Sequence, residues 1–69
     1  MYWVEVEVVI KFKDDEIMRW TVSGEIEVCA AVESSPGWRR FLEWRDSISR
    51  DEWRFVTIEE TLLSDKKNE

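Results

Sequence analysis

Hydrophobic and polar residues alternate almost without fault from Tyr2 to Lys13. Tyr2, Val4, Val6, Val8, Ile10 and Phe12 fall on one parity, and Trp3, Glu5, Glu7, Val9, Lys11 and Lys13 on the other. Period two sustained over this length, with many β-branched residues, predicts a long strand with one face buried. Asp14-Asp15-Glu16 reads as a turn, and a second strand follows from Ile17 to Val22 with Met18, Trp20 and Val22 on its apolar parity. A two-residue loop would set Ile10 opposite Arg19 and bring a charge onto the apolar face. A three-residue loop, Asp14 to Glu16, pairs Phe12 with Met18, Ile10 with Trp20 and Val8 with Val22. A one-residue slip exchanges the faces, so burial favours the three-residue loop.

From Glu25 to Val32 the pattern fits a third strand, with Ile26, Val28, Ala30 and Val32 inward, joined by a Ser23-Gly24-Glu25 loop. A helix is the alternative for this segment, although its apolar residues would spread around the cylinder rather than form a stripe. Ser35 then caps a helix with Pro36 at its first position. Trp38, Phe41, Leu42, Arg45 and Ile48 recur at spacings of three and four and define its inward face, with Trp44 at the edge. Trp53 to about Glu59, with Phe55, Val56, Thr57 and Ile58 in succession, reads as a returning strand packed on both faces. Thr57 and Glu60 also fit a capping box, which leaves a short helix over 58–64 as the alternative. Ser64 to Glu69 reads as a flexible tail. The expected fold is a single α+β domain over 1–63: a small antiparallel sheet, a three-strand meander plus a C-terminal strand, with one helix packed across one face.

Size and composition limit what such a domain can do. A chain of 69 residues buries roughly 60% of the surface its unfolded form exposes, which leaves little room for a deep cofactor pocket. With no His and one Cys, a His-based proton shuttle, a Cys-based zinc site and an internal disulfide are excluded. Cys29 lacks a His to serve as its base. Glu5/Glu7, Glu25/Glu27 and Glu59/Glu60 lie on outward positions, where acid–base work would need burial they do not have. Asp14-Asp15-Glu16 lacks the ligand series of a calcium loop. No phosphate loop or nucleophile elbow is present. These absences predict a non-enzymatic protein without cofactor or metal. No apolar run is long enough to span a membrane and no secretory signal is visible, which predicts a cytoplasmic protein.

Two surface features carry functional expectations. The net charge is −6, but it is divided unevenly. Residues 1–37 carry three basic and eight acidic groups, a balance of −5, and residues 38–54 carry five Arg against four acids, a balance of +1. Acids at two-residue spacing on a strand stand roughly 6.7 Å apart, a row able to imitate a phosphate backbone. The second feature is the Trp-Arg dipeptide, which occurs as Trp38-Arg39, Trp44-Arg45 and Trp53-Arg54. Trp and Arg dominate binding hot spots, and Arg40 stands one helical turn from Trp44, close enough for a cation–π pair. The expected partner-binding residues are Trp3, Glu5, Glu7, Asp14, Asp15, Glu16, Arg19, Glu25, Glu27, Arg40 and Trp44. Trp3, Val9, Ile17, Cys29 and Ala31 add apolar area to the outer face of the sheet and suggest a homodimer there.

In overall character, a short, acidic, Trp-rich α+β chain without catalytic motifs resembles the small proteins that phages make to bind and block host enzymes, including anti-CRISPR and other anti-defence inhibitors. The resemblance rests on the whole chain and on no motif, so no functional residue is carried over. It implies a partner that is a larger host protein or complex; the net charge of −6 argues against direct nucleic acid, and the short apolar runs against a membrane. The expected function is inhibition or regulation of that partner by surface occlusion, aided by nucleic-acid mimicry. The alternatives are a nucleotide-signal sponge with a Trp- and Arg-lined dimer cleft, and a structural subunit of a larger assembly.

Overall fold

A computed structural model describes residues 2–24 and 32–67, with side chains described for 4–24 and 32–63. Strands β1 (Tyr2–Phe12) and β2 (Asp15–Gly24) form a hairpin, helix α1 spans Pro36–Asp46, a 3₁₀ helix η1 spans Arg50–Phe55, and β3 spans Val56–Lys67. The sheet order is β2-β1-β3, with both neighbours antiparallel to β1. The coarse expectation of a small antiparallel sheet with one helix on it therefore holds. The expected third strand over 25–32 lies outside the described residues, apart from Val32, which has helical backbone together with Glu33.

The hairpin keeps the expected faces but not the expected register. Met18 lies opposite Ile10, Trp20 opposite Val8 and Val22 opposite Val6, two residues from the arrangement that a three-residue loop would give. The connection is a two-residue turn, Lys13-Asp14, with φ of 52° and 69°. Both central residues in the left-handed region is the geometry that matches the twist of paired strands. A bulge at Ile17, between the Lys11–Glu16 and Ile10–Met18 pairs, then restores the parity. Arg19 thereby stays on the open face opposite Val9. Asp14 pays a steric cost for its positive φ that glycine would not. Asp14→Gly should accordingly raise the urea midpoint, by a stability gain of about 0.5–1 kcal/mol. A lowered midpoint would contradict the turn geometry.

The core sits between α1 and the β1–β2 half of the sheet. Val4, Val6, Val8 and Ile10 from β1 meet Val22, Val32 and Phe41, with Met18, Trp20, Trp38, Leu42, Trp44 and Val56 packed around them. Ser35 caps α1 by accepting from the Trp38 amide, with Pro36 in the first turn, as its sequence predicts. Its hydroxyl also accepts from the Trp20 indole Nε1 at 3.0 Å and donates to the Val32 carbonyl. One serine thus ties the helix start to the sheet. The helix stops at Asp46, with Ser47 as its C-cap, so Ile48 lies beyond it.

The C-terminal third departs most from expectation. Trp53 to Phe55 belong to η1 rather than to a strand, and β3 continues through Lys67. The 58–64 segment is strand, not helix. Ser64 to Lys67, expected as part of a flexible tail, pair with Glu5 to Tyr2 of β1. A bulge at Leu63 interrupts this ladder between Glu5 and Val6. Nor is β3 packed on both faces. Ile58, Glu60 and Leu62 stand opposite Ile10, Val8 and Val6, hence on the core side. Ile58 is nevertheless 42% exposed and Leu62 56%. Glu60 between them explains this, because a covering element would have to bury an unpaired carboxylate. No helix among the described residues is long and apolar enough to cross a membrane.

Candidate functional site

The open face of the sheet carries Glu5, Glu7, Val9 and Lys11 from β1, flanked by Arg19 and Thr21 of β2 and by Thr57, Glu59 and Thr61 of β3. Val9 is buried there, although its partners across the sheet are the polar Arg19 and Glu59. The expected apolar outer patch is therefore not assembled from the described residues: Val9 is covered, and Ile17 sits at the bulge by the turn. The Trp3 side chain, Cys29 and Ala31 lie outside what is described.

The acidic row is partly neutralised from within. Arg19 donates to the Glu7 carboxylate at 2.7 Å and also pairs with Glu16. Lys11 pairs with Glu59 at 3.3 Å, and Lys13 with Glu52 at 3.2 Å. The hydrogen bond from Arg19 holds the Glu16 carboxyl below its usual range, and bonds to Glu16 and Glu7 push the Arg19 guanidinium higher still. The structure thus brings together Glu7, Glu16 and Arg19. Asp14 and Asp15 are exposed at the hairpin tip and Glu5 is half-buried nearer the other end, so these acids do not form one cluster. Glu25 and Glu27 lie outside the described residues. No group of three or more potential metal ligands occurs among the described residues.

The helical segment behaves in the opposite way. Arg39, Arg40, Arg45, Arg50 and Arg54 form no ion pair with a carboxylate among the described residues. Three of them stack on aromatic rings instead. Trp53 carries Arg45 at 4.3 Å and Arg50 at 5.1 Å, and Arg54 lies 4.8 Å from the Phe55 centroid. The Trp53 indole donates to the Arg45 carbonyl at 3.2 Å, which fixes the ring against the end of α1. Arg45 Nε is buried without a hydrogen-bond partner, so its guanidinium is held by the faces of Trp53 and Phe41. Arg39, Arg40, Arg50 and Arg54 are exposed.

The expected Arg40–Trp44 stack does not form. Trp44 is half-buried, with Phe12 edge-on at 5.4 Å and Phe41 at 6.4 Å, so it supports the core rather than standing out as an anchor. Arg40 instead separates two shallow hollows. One, of about 520 Å³, is lined by residues including Glu33, Trp38, Arg39 and Leu42. The other, of about 330 Å³, is lined by Met18, Arg19, Trp20, Gly37 and Arg40. Ser34 and Ser35 also line the first hollow, where the Ser35 hydroxyl is engaged by the Val32 carbonyl, the Trp20 indole and the Trp38 amide. The Arg45–Trp53–Arg50 stack escapes a reading of local spacing because it joins the end of α1 to η1. The repeated Trp-Arg dipeptide was its only trace in the sequence. Comparison with protein-family models, curated proteins and solved structures finds no match to this chain.

Proposed function

We propose that this chain is a non-enzymatic binding protein that inhibits or regulates a larger protein by occluding part of its surface. We place its contact face on α1 and η1. The observation that carries this reading is the contrast in ion pairing: Lys11, Lys13 and Arg19 of the hairpin are paired, whereas the exposed arginines of residues 39–54 pair with no carboxylate among the described residues. An exposed guanidinium stacked on an aromatic ring loses less freedom on binding and keeps its donors for a partner's carboxylates. The matching partner surface is acidic and part apolar. The net charge of −6 disfavours a polyphosphate, whose affinity comes chiefly from neutralising its charge. The hairpin acids have a lesser role in this reading, orienting the chain on approach. Pairing within the sheet weakens the case for nucleic-acid mimicry.

Affinity capture from cells that make the chain, followed by competition binding with the captured protein, tests the assignment. R39E/R40E alters two exposed side chains and should weaken binding at least ~tenfold, the equivalent of about 1.4 kcal/mol. E5Q/E7Q should change it less than ~threefold, in line with the small worth of exposed charges. The reverse ranking, or equal binding by all three proteins, would remove the contact face from the helical segment. Calorimetric binding of ADP at the Arg39–Arg40 groove, without a protein present, would replace this reading with that of a nucleotide sponge.

A further inference from the structure

We infer that the hollow at the start of α1 is a socket for a short segment of the partner protein, one that carries an apolar side chain beside a single carboxylate. The inference deepens the assignment of the contact face to the helical segment and rests on it. The hollow has a volume of about 520 Å³, within the range of roughly 300–1,000 Å³ that holds drug-sized groups. Pro36, Trp38 and Leu42 give it apolar surface, and Arg39, Arg40 and Glu33 give it charge. Trp38 and Leu42 are only half-buried by the core, so part of each remains for an incoming side chain.

The occupant follows from which polar groups of the hollow are already spent. The Ser35 hydroxyl takes the Trp20 indole and the Trp38 amide as donors and the Val32 carbonyl as acceptor, so its capacity is used within the chain. Arg39 and Arg40 pair with no carboxylate among the described residues, and a guanidinium offers donors alone. The hollow therefore asks its occupant for an anion next to apolar surface. Glu33 limits that anion to one carboxylate, because a second negative charge, or a polyphosphate, would meet its own exposed carboxyl. Depth decides between a free small molecule and a segment of a protein. Sites for small ligands enclose roughly 70–90% of the ligand surface, which a shallow hollow on one helix does not do. A segment of a larger protein needs no such enclosure, since contacts elsewhere on the helical segment add to its affinity.

Calorimetric titration of the full chain with the blocked peptide acetyl-Gly-Leu-Phe-Glu-Gly-amide tests the socket, beside analogues with Gln in place of Glu and Ser in place of Phe. The first peptide should bind with a Kd of about 1 mM or tighter, and each analogue at least ~fivefold more weakly. R39Q/R40Q should bind the Glu and Gln peptides within ~twofold of each other, because the acid has lost its partners. Circular dichroism checks that this variant is folded, and amide spectra should place the wild-type shifts at residues 33–42. No binding at about 5 mM peptide, shifts centred elsewhere, or an undiminished preference for Glu in R39Q/R40Q would overturn the socket. The captured protein separates this outcome from the assignment beneath it. If R39E/R40E loses that protein while the peptide does not bind, the socket falls and the contact face stands. If R39E/R40E keeps it, the contact face falls and takes the socket with it.

Discussion

Phe41→Ala should leave the chain largely unfolded at room temperature, seen as a lost near-ultraviolet dichroism signal and no cooperative urea transition. Phe41 is 2% exposed and is among the largest fully buried side chains, with Ile10 and Val8. It lies 5.1 Å from Trp38 and 6.4 Å from Trp44, so its removal also strips two aromatic contacts. Truncating a buried Phe costs about 3–5 kcal/mol. A single core in a domain this small rarely supplies more than about that amount. A cooperative transition shifted by less than about 1 kcal/mol would mean that α1 does not sit on the sheet as described.

Gly37→Ala should destabilise the protein, although alanine is the better helix former by about 1 kcal/mol. Gly37 is buried within the first turn of α1, and a Cβ there would overlap the Trp20 indole ring. The ring cannot yield cheaply, because its Nε1 donates to the Ser35 hydroxyl that caps the helix. Displacing it exchanges the propensity gain for overpacking of about 1–3 kcal/mol and a strained cap worth about 1 kcal/mol. The expected net loss of about 1–3 kcal/mol should lower the thermal midpoint by several degrees. A raised midpoint would show that the helix does not rest on Trp20. Arg40 beside this contact should move with it, so the same variant links the packing of α1 to the proposed contact face.

Period and capping carried much of the fold. The alternation in β1 settled which of its residues meet the core, and Ser35-Pro36 marked the start of α1 because both signals are local. Register was less accessible. The parity test rejected a two-residue loop on the assumption of an unbroken ladder, and the Ile17 bulge satisfied both the short turn and the burial of Trp20 and Met18. The exposure of the C-terminal strand is hidden from its sequence for a related reason. A run such as Phe55-Val56-Thr57-Ile58 suggests burial on both faces, but exposure depends on whether another element covers the strand, which the run itself does not encode. For the candidate site, composition identified Arg and Trp as the residue types to watch and their dipeptides as the feature. It assigned prominence to Trp44, whose edge position on the helical wheel did not reveal that Phe12 packs against it. The acids were legible as a row. That Arg19, twelve residues along from Glu7, would fold across and pair with it depends on the bulged register.

Amide hydrogen exchange on the chain, free and bound to its captured protein partner, tests the central claim most directly. Contact through α1 and η1 predicts new protection confined to about residues 36–55, with little change in Glu5–Lys11 or Arg19–Ser23. Protection centred on those sheet residues, with the helical segment unchanged, would contradict it.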